Sequence, residues 1–232
     1  MEPEATIRIA EVFRSLQGEG PSLGIPSTFV RLQGCTVGCT WCDTKYSWVA
    51  AGGTAMAWQA LLDTVAEGRA QHIHNVVITG GEPLEHPDFP RLVQALRRLG
   101  LRIEVETSGV MAPDPGTAAA VDQWNVSLKL SHSGVPDSRR IDPRAIEGFR
   151  QIAEIRVYWK FVVGEAEDVL EASGLVQRFG LPRGQVLLMP LTLGPGGDQR
   201  RVDELVWRAC VERGYRYTPR AHTAIFGLRR GV

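Results

Sequence analysis

Three cysteines lie close together near the start of the chain, at Cys35, Cys39 and Cys42. Thiolates hold iron–sulfur clusters in proteins, and such a cluster normally takes four protein ligands. The remaining cysteine of the chain, Cys210, is distant in the sequence. Three clustered thiols without a fourth neighbour therefore predict an iron–sulfur cluster in which one iron stays open for a substrate or a cofactor.

The same cysteines admit two less favoured interpretations. A structural zinc site needs four ligands, and the fourth would have to be Cys210 or one of the five scattered histidines. A disulfide framework is typical of small secreted chains, whereas this chain has 232 residues and no signal-peptide pattern. Cys210 itself falls in a predicted helix, where a buried core thiol is the simplest expectation.

Length and charge narrow the class of protein. The 232 residues, of which 44% are hydrophobic, can bury one sizeable core, so we expect a single domain over residues 1–232. Lysine plus arginine equal aspartate plus glutamate at 26 each, so there is no overall positive field to hold nucleic acid. A small-molecule substrate is favoured.

Nothing in the sequence predicts a membrane protein. No apolar run approaches the roughly 20 residues that a membrane helix needs. We expect a soluble cytoplasmic protein, since thiols stay reduced in the cytoplasm and clusters can be loaded there.

Strands and helices alternate about six times along the chain. Apolar and β-branched runs predict strands at 7–13, 28–32, 76–78, 102–107, 125–130, 155–163 and 186–189, with a further short strand at 224–226. Three- and four-residue apolar spacing predicts helices at 55–70, 89–99, 143–154, 167–179 and 203–213. This order predicts an α/β fold, an incomplete TIM-type barrel of about six parallel strands with flanking helices. The site should lie at the C-terminal ends of the strands.

Several residues stand out against these elements. Gly81 and Glu82 follow the strand at 76–78, where glycine allows close backbone approach to a ligand and a carboxylate suits an ammonium group. Arg31 lies inside an apolar strand and must find an anion, either a structural partner or a substrate. Glu104 and Glu106 alternate with apolar residues and so share one strand face, as an ion-paired face or as a base.

The cysteine spacing, Trp41 before the last cysteine, and the Gly80 to Pro83 stretch resemble the radical S-adenosylmethionine (SAM) enzymes. The resemblance implies a 4Fe-4S cluster on Cys35, Cys39 and Cys42 whose open iron is chelated by the amino and carboxylate groups of SAM. It also implies that Trp41 lies against the adenine. Gly81 and Glu82 would bind the methionine amino group.

Further stretches resemble one family within that superfamily, the 7-carboxy-7-deazaguanine synthases. They are residues 16–20 (Leu-Gln-Gly-Glu-Gly), 29–32 before the first cysteine, 42–44 (Cys-Asp-Thr), and 229–232 at the end. The resemblance implies conversion of 6-carboxy-5,6,7,8-tetrahydropterin to 7-carboxy-7-deazaguanine with loss of ammonia, on the route to queuosine and related deazapurines. A 5′-deoxyadenosyl radical would take hydrogen from the pterin, and SAM would be regenerated.

The same resemblance implies the remaining site residues and partners. The contacts with SAM would come from Trp41, Asp43, Gly81, Glu82, Ser127, Leu128, Lys129, Leu188, Met189 and Pro190. The pterin would be held by Leu16, Gln17, Gly18, Arg31, Thr79 and Val232. The Thr44 hydroxyl would bind Mg²⁺, a cation that prefers oxygen ligands. An electron donor of the flavodoxin or ferredoxin type and a homodimer are also implied.

Two rival functions stay open from the sequence. An activating enzyme that makes a glycyl radical on a partner protein would share the cysteines and the Gly80 to Pro83 stretch. It would not need Arg31 or Thr44 to hold a small acid. A non-catalytic zinc-binding module would bind zinc and show no turnover.

Overall fold

One mixed sheet forms the centre of the computed structural model, which describes residues 5–153, 156–194, 196–227 and 229–232. Within these residues the strands are β1 (Thr6–Leu16), β2 (Pro26–Leu32), β3 (Thr54–Ala57), β4 (Asn75–Gly80), β5 (Arg102–Thr107), β6 (Gln123–Val126), β7 (Val157–Val163), β8 (Val186–Pro190) and β9 (Arg216–Tyr217). The helices are α1 (Trp58–Ala70), α2 (Phe89–Arg98), α3 (Pro115–Ala120), α4 (Asp137–Arg140), α5 (Pro143–Arg150), α6 (Ala166–Phe179), α7 (Gln199–Arg213) and α8 (Ala221–Phe226).

The strand order is β3-β1-β2-β4-β5-β6-β7-β8-β9, with β3 and β9 at the two edges. From β2 to β9 every neighbouring pair is parallel, whereas β1 runs antiparallel to both β2 and β3. The sheet is therefore an open, incomplete barrel, and the predicted fold class is confirmed. Parallel pairing places the C-terminal ends of these strands along one rim.

The core lies between the sheet and its outer helices. In α2 the apolar side chains at Phe89, Leu92, Val93 and Leu96 are buried, which is the face predicted from their spacing. Four aromatic rings continue this packing with edge-to-face contacts: Phe89 with Trp124 at 6.3 Å, Trp124 with Phe149 at 5.4 Å, and Phe149 with Trp159 at 6.3 Å between ring centroids. The rings tie α2 and α5 to β6 and β7.

Several element boundaries differ from the prediction for identifiable reasons. Residues 55–57 extend β3, which pairs with β1, so α1 begins at Trp58. Helix α7 begins earlier than predicted because the Asp198 carboxylate caps it by accepting from the Arg201 amide. The predicted strand at 224–226 is wrong, since these residues complete α8. Residues 127–130 lie beyond the end of β6.

Glu154 of the predicted helix at 143–154 and Ile155 of the predicted strand at 155–163 lie outside the described residues. The single-domain assignment over residues 1–232 stays a prediction. Every helix in the described part of the chain is too short or too polar to serve as a membrane span.

The aromatic core yields a stability prediction. Replacing Phe149 by alanine removes a ring that is fully buried between Trp124 and Trp159. We expect the free energy of unfolding to fall by about 3–5 kcal/mol, because the site loses transfer energy and keeps a cavity. Urea unfolding followed by tryptophan fluorescence measures the change.

Val211→Ala is the matched control, because this side chain is 74% exposed on α7. The control should change the unfolding free energy by no more than about 0.5 kcal/mol. A Phe149→Ala variant as stable as the control would contradict the packing described here.

Candidate cofactor and substrate site

The predicted cofactor residues lie at the C-terminal ends of the parallel strands. Residues 34–42, called the cysteine segment below, follow β2. Gly81 and Glu82 follow β4, residues 127–129 follow β6, and residues 188–190 end β8. The strands end in register, since Leu32 pairs with Gly80, Thr107 with Val126, and Val163 with Pro190. The rim therefore brings together residues that are more than a hundred positions apart in the sequence.

The cysteine segment is held by main-chain hydrogen bonds. The amides of Gly34 and Cys35 donate to the carbonyls of Ser47 and Trp48 at 2.7 and 3.0 Å. The Thr40 amide donates to the Ser133 carbonyl at 2.9 Å, which ties the segment to the loop after β6. These contacts fix the segment at both ends before any metal is bound.

All three thiols of the segment are free, and they share an apolar environment. Cys39 is buried with Val37 and Val135, and Cys35 and Cys42 pack against this small cluster. The Trp48 indole N–H donates to the Cys42 sulfur at 3.3 Å. Hydrogen bonds to sulfur and a dry surrounding are the features by which a protein stabilises an iron–sulfur cluster.

Burial disfavours the thiolate form of two of the cysteines in the absence of metal. Burial raises the pKa of Cys35 to about 11. Burial also raises the pKa of Cys39, although the positive charge of Lys129 opposes the shift. Among the described residues, no group of three or more His, Cys, Asp or Glu side chains is arranged to hold a single metal ion. An iron–sulfur cluster makes a different demand, because each thiolate binds its own iron. Three free thiols on one apolar segment meet that demand.

The end of β4 touches the start of the cysteine segment. The Gly81 amide donates to the Leu32 carbonyl at 3.1 Å, and the Glu82 amide donates to the Gly34 carbonyl at 2.9 Å. A Cβ atom on Gly81 would overlap the backbone of Gly34, so only glycine permits this approach. The glycine predicted from its position after the strand therefore has a visible steric role.

Glu82 is buried and held by four hydrogen bonds. Its carboxylate accepts from the Leu84 amide at 3.1 Å, the Thr107 hydroxyl, and the amide and hydroxyl of Ser108. A carboxylate has about four lone-pair positions, and all are engaged here. An ammonium group would have to take the place of one of these donors.

Lys129 reaches back over its own loop towards Trp41. Its ammonium group donates to the carbonyl and hydroxyl oxygens of Ser127 at 2.9 and 3.1 Å, and lies 5.7 Å from the centroid of the Trp41 ring. Burial lowers the pKa of Lys129. The buried indole N–H of Trp41 has no hydrogen-bond partner among the described residues, so this donor is available to a bound molecule. Leu128 is buried within this loop, and residues 188–190 are buried at the end of β8.

Polar side chains on the strands beside the cofactor residues form one hydrogen-bonded cluster, called the polar chamber below: Gln17, Thr79, Glu104, Glu106 and Asn125. The Gln17 side-chain amide donates to both Glu104 and Glu106, at 2.9 and 3.0 Å. The Thr79 hydroxyl donates to the other oxygen of Glu106 at 2.9 Å. Asn125 also donates to Glu104 at 2.6 Å. The two glutamates share one strand face as predicted, and that face is hydrogen-bonded inside the protein.

Arg31 lies at the same wall of the chamber. Its Nε donates to Glu11 at 2.7 Å across the β1–β2 pair, and the same carboxylate oxygen accepts from the Tyr46 hydroxyl at 2.5 Å. Among the described residues, neither terminal nitrogen of the Arg31 guanidinium has a hydrogen-bond partner. The structural ion pair exists, and it leaves the fork of the guanidinium for an anion.

The remaining predicted residues lie on several segments. Leu16 is exposed at the end of β1, whereas Gly18 packs against α8, where a Cβ would overlap His222. The Gly18 carbonyl accepts from the Ala221 amide at 3.0 Å. Val232 is half-buried at the end of the chain. The Thr44 hydroxyl lies 3.5 Å from the Cys42 sulfur.

A chain of ion pairs that the sequence did not reveal joins the segments after β1 and β9 to β7 and to Asp43. Glu19 accepts from Lys160 of β7 and from Arg220, and Arg220 also pairs with Asp43 beside the last cysteine. Burial alone would raise the pKa of Glu19, but Lys160 and Arg220 outweigh it and hold the pKa at about 2. Lys160 could have been noticed as a lone charge in the apolar run of β7, as Arg31 was in β2.

Comparison with known proteins places these features in a family. Residues 29–206 match the model of the Radical SAM superfamily. The chain therefore belongs to the radical SAM superfamily, whose members use a 4Fe-4S cluster and SAM. A 7-carboxy-7-deazaguanine synthase from Pyrobaculum aerophilum is 41% identical over the full length of both chains. One from Escherichia coli K12 is 29% identical, over 92% of this chain and 96% of its own.

The crystal structure of QueE from Escherichia coli resembles this fold with a TM-score of 0.68 and 28% sequence identity, covering 94% of this chain and 95% of that one. Within the superfamily, the chain belongs to the 7-carboxy-7-deazaguanine synthases.

The close approach of Gly81 to the cysteine segment yields a prediction about metal loading. Gly81→Ala would force the backbone of Gly34 and the Cβ of Cys35 away from β4. We expect iron and acid-labile sulfide after anaerobic reconstitution to fall to less than about half of the wild-type content, because ligand orientation sets metal affinity.

The matched control is Gly174→Ala in α6, where an added Cβ meets nothing within 4 Å. That variant should load iron as the wild type does. Full loading of Gly81→Ala would show that the two backbones do not need to touch.

The buried ion pairs of Glu19 yield a pH prediction. Its folded pKa of about 2 lies below the ordinary value of 4.5, so its stabilisation is complete above pH 4.5 and is lost as pH falls towards 2. Glu19→Gln should lower the free energy of unfolding at pH 7 by about 3 kcal/mol, because the buried Lys160 loses its carboxylate partner and Arg220 keeps only Asp43.

The difference between wild type and Glu19→Gln in urea unfolding should shrink between pH 4.5 and pH 2. A difference that stays constant over this range would mean that Glu19 is not the paired carboxylate.

Proposed function

We propose that the chain converts 6-carboxy-5,6,7,8-tetrahydropterin to 7-carboxy-7-deazaguanine with release of ammonia, as a step towards queuosine and related deazapurines. The observation that carries the proposal is the joining of two sites at one rim. The three cysteines follow β2, whose end is hydrogen-bonded to the end of β4, and Arg31 of β2 is anchored on Glu11 with the fork of its guanidinium free. Both halves are needed for radical chemistry on a small acid.

The cofactor side divides into two tasks. Cys35, Cys39 and Cys42 hold the 4Fe-4S cluster. The residues that contact SAM are Trp41, Asp43, Gly81, Glu82, Ser127, Leu128, Lys129, Leu188, Met189 and Pro190. When bound, the reduced cluster and SAM would supply the radical chemistry that removes hydrogen from the substrate. The protein contributes orientation and a dry site, as is general for enzymes whose cofactor carries the difficult chemistry.

The substrate side uses the chamber. The free fork of the Arg31 guanidinium binds the pterin carboxylate, and the main chain of residues 16–18 contacts the ring. Thr79 adds a hydroxyl that is already oriented by Glu106 at 2.9 Å. Val232, at the end of the chain, contacts the pterin. Hydrogen bonds from Gln17 hold the carboxylates of Glu104 and Glu106 in place and keep this region polar.

The Thr44 hydroxyl binds Mg²⁺ next to the substrate carboxylate. Its place 3.5 Å from the Cys42 sulfur supports the assignment, since it puts the hydroxyl beside a cluster ligand. Mg²⁺ prefers oxygen ligands and keeps several bound waters. One protein hydroxyl and one substrate carboxylate are therefore sufficient further ligands.

The wider assignment follows from the same reaction. An electron donor of the flavodoxin or ferredoxin type reduces the cluster, the protein acts in the cytoplasm, and it forms a homodimer. The substrate is a small pterin, and nucleic acid is not a partner.

Anaerobic incubation tests the reaction directly. The reconstituted protein, dithionite, SAM, Mg²⁺ and the carboxypterin should give 7-carboxy-7-deazaguanine and ammonia by mass spectrometry, with SAM not consumed in proportion to product. Stoichiometric 5′-deoxyadenosine with no deazapurine would refute the proposed reaction.

The magnesium assignment has its own test. Thr44→Ala should lower turnover about 10- to 100-fold and flatten its dependence on Mg²⁺ concentration, because the cation loses its protein ligand. Thr44→Ser retains the hydroxyl and should retain both. If Thr44→Ala responds to Mg²⁺ as the wild type does, the cation binds elsewhere.

A further inference from the structure

Tyr46 lies where two parts of the substrate site meet. It belongs to the turn at Lys45–Ser47, after the cysteine segment, and it is half-buried. Its hydroxyl donates to Glu11 on one side, and the guanidinium of Arg230 lies 3.6 Å from its ring centroid on the other. This is a short distance for a cation over an aromatic face.

The hydroxyl side of Tyr46 orients Arg31. The Glu11 oxygen that accepts from Tyr46 is the same oxygen that accepts from Nε of Arg31, at 2.7 Å. Glu11 therefore has two donors that define its position, and its position defines the direction of the Arg31 fork.

The ring side of Tyr46 holds the end of the chain. Arg230 is two residues before Val232, and the intervening Gly231 would place a Cβ 4.0 Å from Phe13 of β1. The neighbouring Arg229 lies 5.9 Å from the ring of Phe226, within its own segment. Of the two adjacent arginines, Arg230 therefore connects residues 229–232, the C-terminal tail, to Tyr46.

We infer that Tyr46 is a positioning residue that couples the two ends of the substrate site. Through Glu11 it orients the arginine that takes the substrate carboxylate, and through Arg230 it holds residues 229–232 against β1 and the turn at Lys45–Ser47. The inference rests on the proposed function for the identity of the substrate. The attachment of the tail can be tested without any substrate.

Two substitutions separate the two roles of Tyr46. Tyr46→Phe keeps the ring and removes the hydroxyl, so the tail should stay attached while the KM for the carboxypterin rises about 2- to 12-fold, the range that one hydrogen bond supplies. Tyr46→Leu removes both, so the KM should rise and the amides of residues 229–232 should exchange hydrogen about 2- to 30-fold faster, the range of a cation–aromatic contact.

Arg230→Gln and Arg229→Gln form the matched pair for the tail. Hydrogen exchange of the C-terminal peptide, measured by mass spectrometry on the reconstituted protein without substrate, should accelerate in Arg230→Gln and stay as in wild type in Arg229→Gln. Adding Arg230→Gln to Tyr46→Leu should accelerate it no further, because both remove one contact. Iron content and the KM for SAM should not change in any variant. A general loss of structure would change both.

The outcomes are distinct. A tail as protected in Tyr46→Leu as in wild type, equal acceleration in the two arginine variants, or an unchanged carboxypterin KM in Tyr46→Phe would each overturn the inference. If the wild type neither binds nor converts the carboxypterin, the proposed function fails, and the exchange pattern still decides whether Tyr46 holds the tail.

Discussion

Direct contact between two backbones determines how this site is assembled. The Gly81 and Glu82 amides donate to the carbonyls of Leu32 and Gly34, and the space at Gly81 admits no side chain. Because β2 and β4 are parallel neighbours in register, their ends are level, and the cysteine segment starts where β4 stops. A side chain at Gly81 would push the segment away from the other loops of the rim. The position of the three thiols therefore depends on a packing constraint in the protein alone.

Buried charge is the second organising feature. The inner surface of the barrel holds the Glu19, Lys160 and Arg220 chain and the Gln17 bridge between two glutamates. Removing these groups from water is costly unless each finds a partner, and here each does. Ion pairs thereby join the segments after β1 and after β9 to β7. A paired interior also leaves few free charges to compete with a small acidic substrate.

The sequence predicted the elements whose signal is local and left open the contacts that depend on tertiary structure. Apolar spacing placed α2 within one residue, and the run at Val76 placed the core of β4. The tail at Ala224 was misassigned because three apolar residues fit a short strand or a helix equally well. The cysteines and Gly81 were identified from type and spacing. Lys160 and Arg220 were missed because their partner, Glu19, lies more than a hundred residues away from both.

The central claim is that three thiolates leave one iron of a 4Fe-4S cluster open to SAM at the rim of this barrel. Electron paramagnetic resonance of the anaerobically reconstituted, dithionite-reduced protein tests it most directly. Addition of SAM should shift the g-values of the reduced cluster, because the amino and carboxylate groups of SAM become ligands of the open iron. A cluster signal that stays the same at saturating SAM, or a protein that takes up zinc and shows no such signal, would contradict the account.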